Sequence, residues 1–383
     1  MAETHQEKKK KIAIVHDFLL YPGGAESVLR SLMHLYPDAP VFVLLYDENR
    51  YKKILGDELS GREIHASFLQ RLPAFLKKRH KFLLPLYAPA TESLDLREYD
   101  LVISSSGAWS KGLVTRLYTD HIAYIHSPMR YIWDENERYM QRAVKRGRFF
   151  ARQLLSYIRV WDYQAAQRPD RLIANSLYTA DRIKKYYRRE ADVVYPAVSV
   201  PRDIAQYRDL RTMQGAGDYF VIIARLVNYK NIHIAIDVCN KLSLPLQIIG
   251  EGPYRKTLEK RAGKTITFLG WCTEEEKWRI LAGARAFLFP ATEDFGIVCV
   301  ESLLAGVPVI MLDKGGAREI IQKNIHGIHF KEPTEEVLAD SIRRFMEKEA
   351  VFDRQVLYDR GEYFSQKRFA TELQKNITNV DVR

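Results

Sequence analysis

What most constrains this chain is an alternation that runs through it twice: short, nearly continuous apolar runs separated by amphipathic stretches, interrupted once and then resumed. Ile12–Val15, Val41–Tyr46, Asp100–Ser106 and His121–His126 have the length and apolar character of strands buried on both faces. Between the first two, AESVLRSLMHLY places Val28, Leu29, Leu32, Met33 and Tyr36 at helical spacing. The order restarts with Tyr219–Arg225, a helix through NIHIAIDVCNKL, and strands at Leu246–Gly250, Ile266–Gly270, Ala284–Pro290 and Val307–Leu312. Strand–helix–strand order builds parallel sheets, so the reading is α/β with two doubly wound, Rossmann-like domains. The junction is placed in Tyr195–Asp218, where two prolines and two glycines break the periodicity. Residues 1–200 then form the first domain and 215–360 the second.

With 383 residues, 46% of them hydrophobic, the chain can bury two cores, and disorder is excluded. The formal charge of +11 calls for an anionic partner: nucleic acid, anionic lipid or a phosphorylated substrate. Cys239, Cys272 and Cys299 have neither CxxC spacing nor even pairing, so a zinc cluster and a disulfide framework are not expected, and a reducing cytosol is. The first apolar stretch is broken by His16 and Asp17, with no small-residue cleavage site behind it, and reads as a tail leading into a strand. No apolar run approaches the roughly 18 residues needed to cross a bilayer.

Open parallel sheets bind ligands beyond the carboxyl ends of their strands, and two such domains facing each other would form a cleft lined by strand-to-helix loops. The densest constellation there is PATEDFGIVCVESLLAGVPVI. A strand ends at Pro290, a loop carries Glu293, Asp294, Phe295 and Gly296, and a helix carries Glu301, eight positions after Glu293. Each carboxylate accepts from two donors, which suits the hydroxyl pairs of a sugar ring or a ribose. Gly296 and Ile297 would offer backbone N–H groups to an anionic oxygen at the helix start. An isolated glutamate pair would instead read as an exposed helix acid and a cap partner; within this string the ligand reading prevails. Arg225 and Lys230, five positions apart beyond a strand end, suit a diphosphate, and their bland alternative is a solvated basic loop.

Gly23 and Gly24 sit between the first strand and helix, where backbone can approach a phosphate, although the string is neither GxGxxG nor GxxxxGKS. Gly250 and Gly252, in IGEGPY, and Gly315 and Gly316, in GGARE, repeat the device. His126, at the mouth of the first sheet, is either a packed residue or a hydrogen-bond partner for a sugar hydroxyl or for charge at a reacting carbon. Two stretches carry cations without acids. One bears Arg71, Lys77, Lys78, Arg79 and Lys81 among Phe68, Leu69, Phe75, Leu76, Phe82 and Leu83; the other bears Arg138, Arg142, Lys145, Arg146, Arg148, Arg152 and Arg159. They suit an anionic lipid surface, or a solvated face over a buried one. No nucleic-acid-binding signature accompanies the charge, so nucleic acid is not expected.

Taken together, EDFGIVCVE, ARLVNYKN and GGARE resemble the retaining nucleotide-sugar glycosyltransferases of glycosyltransferase family 4, which have the GT-B fold of two facing Rossmann-like domains; Glu293 and Glu301 match the family's E-x7-E spacing. VHDFLLYPGGAESVL, ASFLQRLP, DLVISSSGAWSKG, YIHSPMRYIWD, AAQRPDRLIANS and FLGW resemble, more narrowly, bacterial mannosyltransferases that build O-antigen and exopolysaccharide chains, and the likeness covers Lys11 to Phe330. Ser127 and Cys299 depart from the commoner threonine and proline.

The resemblance implies a donor diphosphate on Arg225 and Lys230 near Gly24, ribose hydroxyls on Glu301, and hydroxyls of the transferred sugar on Glu293. It also implies backbone contacts from Phe295, Gly296 and Ile297, a base near Gly270 and Trp271, and His126 beside the reacting sugar. The last helix, about 361–383, should return to the first domain. The expected activity is transfer of mannose from GDP-mannose to a lipid-linked or growing surface glycan with retention, without metal or other cofactor, at the cytoplasmic membrane face. The alternatives are UDP-glucose or UDP-N-acetylglucosamine as donor, or a noncatalytic basic lipid- or RNA-binding scaffold.

Overall fold

The computed structural model describes residues 10–21, 23–56, 61–134, 148–214 and 217–378. They fall into two compact units, one comprising the chain up to Ala197 together with residues from Phe369 onward, the other Val198–Arg368.

The first unit is built on a seven-stranded parallel sheet of β1 (Ile12–Leu19), β2 (Val41–Tyr46), β3 (Ile64–Ala66), β4 (Leu101–Ser106), β5 (Asp120–Ile125), β6 (Arg171–Ala174) and β7 (Asp192–Val193). Their spatial order is β3-β2-β1-β4-β5-β6-β7. Side chains of β1 alternate between two cores: Ala13 and Val15 pack on one face, Ile14 on the other. Both faces are covered, so the strands are apolar nearly throughout instead of alternating. The helix Gln366–Thr378 inserts Phe369 and Leu373 into the core that holds Ile14, and Arg171 Nη1 donates to the carbonyl of Asn376 at 2.6 Å.

The second unit carries a six-stranded parallel sheet of β8 (Phe220–Ile223), β9 (Leu246–Ile249), β10 (Ile266–Gly270), β11 (Ala286–Phe289), β12 (Val309–Leu312) and β13 (Gly327–Phe330), in the order β10-β9-β8-β11-β12-β13. In each sheet the chain reverses its direction of travel once, between β1 and β4 and between β8 and β11. A crevice opens there at the carboxyl ends of the strands, and ligands bind at such points.

The units divide between Ala197 and Val198, inside the expected junction Tyr195–Asp218, but that segment is not an irregular linker throughout. It contains the helix Ile204–Gln214, which packs against the helix Glu274–Gly283 within the second unit. Tyr207 lies tilted beside Trp278 with ring centroids 6.3 Å apart, and buried Arg211 donates to the carbonyls of Ala282 and Ala284 at 2.8 and 2.5 Å. These contacts are made with residues far along the chain, so helical periodicity within the segment is weak. Residues 361–368 likewise stay with the second unit, where the helix Arg354–Glu362 lies on the helix Ile297–Leu304.

Candidate functional site

In the second unit the reversal point lies between β8 and β11, and the loops beyond these strands carry the expected residues. The loop after β8 turns through Asn228–Lys230 into a helix at Ile232, and Asn231 adopts a left-handed φ of 55° at the junction. Its Nδ2 donates to the carbonyl of Pro290 at 3.0 Å, fixing this loop to the end of β11. Lys230 is thereby brought onto the Glu293 carboxylate, and the two form a partly buried ion pair. They border a small pocket lined by Ile222, Ala224, Phe289 and Ala291. Arg225 is exposed, with no ion-pair partner among the described residues.

Beyond Glu293 the chain reaches Gly296, whose φ of 103° caps the helix Ile297–Leu304. Glu301 lies about one turn in and is 8% exposed. The loop holding Glu293 rests on the GGARE turn: Gly316 N donates to the carbonyl of Glu293 at 2.9 Å. A Cβ on Gly316 would stand 2.0 Å from the Asp294 carbonyl oxygen, so the two backbones approach this closely only with glycine there. Gly250 has the same cause, since a Cβ there would meet the Ala224 carbonyl oxygen at 2.0 Å. Both glycine turns therefore have a packing explanation. Phe295 turns inward against Phe364. Cys299 is buried, and its thiol is pushed well up by burial and then by Glu293.

One site residue was not read from the sequence. Lys277 Nζ lies 2.8 Å from Glu301 Oε1 and 2.8 Å from Glu274 Oε2. Burial works against its ammonium, but Glu301 and then Glu274 outweigh it and raise the Lys277 pKa. Its place is fixed from both sides. Thr273 and Glu276 form a reciprocal capping box at the start of the helix Glu274–Gly283, and fully buried Trp278 anchors the next position. The legible signal was the box T-x-x-E; its aim at Glu301, 24 residues on, was not. At the end of β10, Gly270 has φ 73° and Trp271 leaves 68% of its surface exposed.

In the first unit, Asp17 at the end of β1 is 6% exposed and accepts from four successive backbone N–H groups, Gly107 to Ser110, at 2.6–3.0 Å. His126 follows β5. Its ring nitrogen Nε2 lies 2.8 Å from Ser105 Oγ, and desolvation followed by the neighbouring His16 lowers its pKa to about 3. The ring is neutral near pH 7 and so brings hydrogen-bonding capacity to this point without a charge of its own. Its loop is held by Asn175 Nδ2 on the His126 carbonyl at 3.0 Å and by Arg182 Nη1 on Ser127 Oγ at 2.8 Å. Gly23 precedes the helix Gly24–Leu35 with extended backbone that any residue adopts, and the Glu26 carboxylate lies beside it.

The basic stretch after β3 is only partly a surface. Leu69 and Leu83 belong to the core, whereas Phe75 and Phe82 are 66% and 77% exposed. Arg71 and Arg79 are exposed, and Lys77 lies 3.7 Å from Glu48. The side chains of Lys78 and Lys81, and that of Arg148, lie outside what is described, as do Arg138, Arg142, Lys145 and Arg146. Arg152 is exposed, while Arg159 donates to the carbonyl of Ile132 at 2.7 and 3.0 Å. Among the described residues no helix is long and apolar enough to cross a membrane.

Residues 22–202 match the model of Glycosyltransferase Family 4, and residues 208–362 that of Glycosyl transferases group 1. The chain is 25% identical over 191 residues to the O-antigen chain mannosyltransferase C of Escherichia coli, covering 47% of this chain and 51% of that one. It is 29% identical over 196 residues to a GDP-mannose-dependent alpha-(1-6)-phosphatidylinositol monomannoside mannosyltransferase of Mycobacterium tuberculosis, covering 45% and 51%. Each match thus spans about half of the relative's length. The crystal structure of Anabaena HepE in complex with UDP and glucose superimposes with a TM-score of 0.69 at 19% identity, over 96% of this chain and 99% of that one, which is a likeness of fold. Two Rossmann-like sheets, the first matched by one glycosyltransferase model and the second by another, place this chain in the GT-B glycosyltransferases.

Proposed function

We propose that the protein is a retaining hexosyltransferase that moves mannose from GDP-mannose to a hydroxyl of a lipid-linked or growing surface polysaccharide. The observation that carries this reading is a pair of cation-held carboxylates, Glu293 on Lys230 and Glu301 on Lys277, at the ligand-binding end of the second sheet. An ammonium has three donors, so Lys230 can hold Glu293 and still reach a phosphate oxygen. Arg225 and Lys230 then neutralise the leaving diphosphate, Glu293 orients the sugar, and Glu301 takes the ribose hydroxyls. The backbone of Phe295–Ile297 borders the sugar, and Trp271 offers an exposed ring to the base near Gly270. The bond from the sugar to the diphosphate breaks, the acceptor oxygen bonds to the same face, and the acceptor's proton passes to the departing phosphate. Mannose as the cargo is supported by the names of the relatives in Escherichia coli and Mycobacterium tuberculosis.

Two fixed cations supply the charge that a divalent ion would otherwise bring, so transfer should persist in EDTA. The test is a panel of GDP-mannose, UDP-glucose and UDP-N-acetylglucosamine, with and without EDTA, read by nucleotide release and by the configuration of the product. GDP-mannose should be turned over fastest, giving the α-linked product. Preference for a UDP-sugar would overturn the donor, loss in EDTA the metal independence, and no turnover at all the enzymatic reading.

Lys277→Met removes the ammonium from Glu301 while keeping the apolar stem. The expected result is a donor KM raised about tenfold with a smaller change in kcat, because a ribose contact is made in ground and transition states alike.

The acceptor is proposed to reside at an anionic membrane surface, met by exposed Phe75 and Phe82 and by exposed Arg71 and Arg79. Each cation near such a surface contributes about 1 kcal/mol. Flotation with anionic liposomes should carry the protein, and replacing Lys77, Lys78, Arg79 and Lys81 by glutamate should release it; binding indifferent to those changes would refute the membrane contact.

A further inference from the structure

Glu26 in the first turn of the helix Gly24–Leu35, His16 within β1, Ser105 near the end of β4 and His126 just after β5 stand in line, and the roles above use only the last. Ser105 Oγ lies 3.0 Å from His16 Nδ1 and 2.8 Å from His126 Nε2. The opposite nitrogen of His16, Nε2, faces Glu26 Oε1 at 3.9 Å. His16 and Ser105 are 2% and 0% exposed, so neither can exchange these partners for bulk water.

A hydroxyl has one proton to donate. Flanked by two ring nitrogens, Ser105 is fully satisfied when it donates to one and accepts from the other, so of the two facing nitrogens one is bare and the other carries a proton. The direction is decided at the far end. A carboxylate facing His16 Nε2 favours the proton on that nitrogen, which leaves Nδ1 bare. Ser105 therefore donates to His16 Nδ1, and its oxygen accepts from His126 Nε2–H.

We propose that Glu26, His16 and Ser105 are positioning residues that hold His126 in its Nε2–H tautomer, so that its Nδ1 lone pair accepts a hydrogen bond from a hydroxyl of the sugar donor or of the acceptor. The identity of that hydroxyl rests on the transferase reading; the tautomer does not. The opposite tautomer would present an N–H, which suits a phosphate oxygen. Protonation would do the same, but burial lowers the His126 pKa to about 3, so its neutral ring persists at working pH. The wiring thus selects a hydroxyl over an oxyanion at this point of the first unit.

The test is the histidine ring-nitrogen NMR spectrum of the full chain labelled with ¹⁵N-histidine, at neutral pH and without substrate, assigned by the signals lost in His16→Gln and His126→Gln. Both rings should be protonated at Nε2 and bare at Nδ1. Glu26→Gln, which keeps the side-chain shape, should populate both tautomers at both rings. Ser105→Ala should release His126 alone, leaving His16 as it was. A wild-type His126 protonated at Nδ1, or a His126 tautomer unmoved by both variants, would overturn the relay. In kinetics, Ser105→Ala should weaken catalysis about tenfold through the substrate that supplies the hydroxyl. A change in donor KM identifies the donor as that source, and a change in acceptor KM the acceptor; unchanged kinetics with both would overturn the hydroxyl contact. Because the spectrum needs no substrate, failure of the transferase reading leaves the tautomer result standing, and transfer by a chain with the wrong tautomer refutes the relay alone.

Discussion

Lys230→Ala is expected to lower kcat for sugar transfer by about 10²–10³ at saturating donor, the effect of removing one preorganised charge donor from a developing anion. Two losses combine. The leaving diphosphate keeps only Arg225, which is exposed and screened by water, whereas Lys230 is 13% exposed and acts in a drier setting. The substitution also takes the ammonium from Glu293, a carboxylate 25% exposed, which then loses the contact that fixes its direction. Lys230→Arg keeps the charge but brings a planar fork into a tight turn shaped around an ammonium, and should recover only part of the rate. Glu293→Gln keeps an acceptor oxygen and should cost less than Lys230→Ala, while Glu293→Ala should cost more than Glu293→Gln. Steady-state kinetics over the four variants, each checked for a native circular dichroism spectrum, tests this. Near-normal kcat in Lys230→Ala would remove the cation from the reaction, and full activity in Glu293→Ala would remove the orienting carboxylate.

Lys230 and Glu293 were legible because each follows a strand whose apolar run is plain in the sequence, and the end of a parallel strand is where ligand-facing loops begin. Glu301 followed from the glycine that starts its helix and the Gly306-Val307-Pro308 stop that ends it. Contacts made at long sequence separation were not legible. Lys277 looks like any cation on an acidic helix surface until the sheet order brings that helix beside Glu301. His16 read only as an interruption of an apolar run, although Ser105, its partner, lies 89 residues away. The helix Ile204–Gln214 was obscured by the prolines and glycines flanking it, and Arg211, a charged residue in an expected linker, is among its buried anchors. In each case local patterning gives the element or the loop, and the fold supplies the partner.

Breaking the buried pair of Lys111 and Asp162 should cost the first unit about 3–5 kcal/mol, a large share of the roughly 5–15 kcal/mol that stabilises a domain. Lys111 Nζ lies 2.5 Å from Asp162 Oδ1, with the two side chains 1% and 0% exposed. Asp162 Oδ2 accepts from Trp133 Nε1 at 2.7 Å, and the lysine also donates to the carbonyl of Ala108. The pair ties the loop after β4, whose backbone Asp17 already holds, to the helix Arg148–Ala165. Asp162→Ala strands an ammonium without a counter-charge, and Asp162→Asn, nearly isosteric, should be destabilising for the same reason. Charge rather than shape is at stake, so Lys111→Met combined with Asp162→Leu should recover much of the loss, since replacing both members of a buried pair by apolar residues is often neutral. Denaturant unfolding of the wild type, Lys111→Met, Asp162→Leu and the double variant, followed by hydrogen exchange at β4 amides to isolate the first unit, gives the cycle, with Asp162→Ala and Asp162→Asn measured beside it. If Asp162→Ala leaves β4 protection at the wild-type level, the pair does not hold the loop; if the double variant is as unstable as the single ones, the loss comes from packing and not from an unpaired charge.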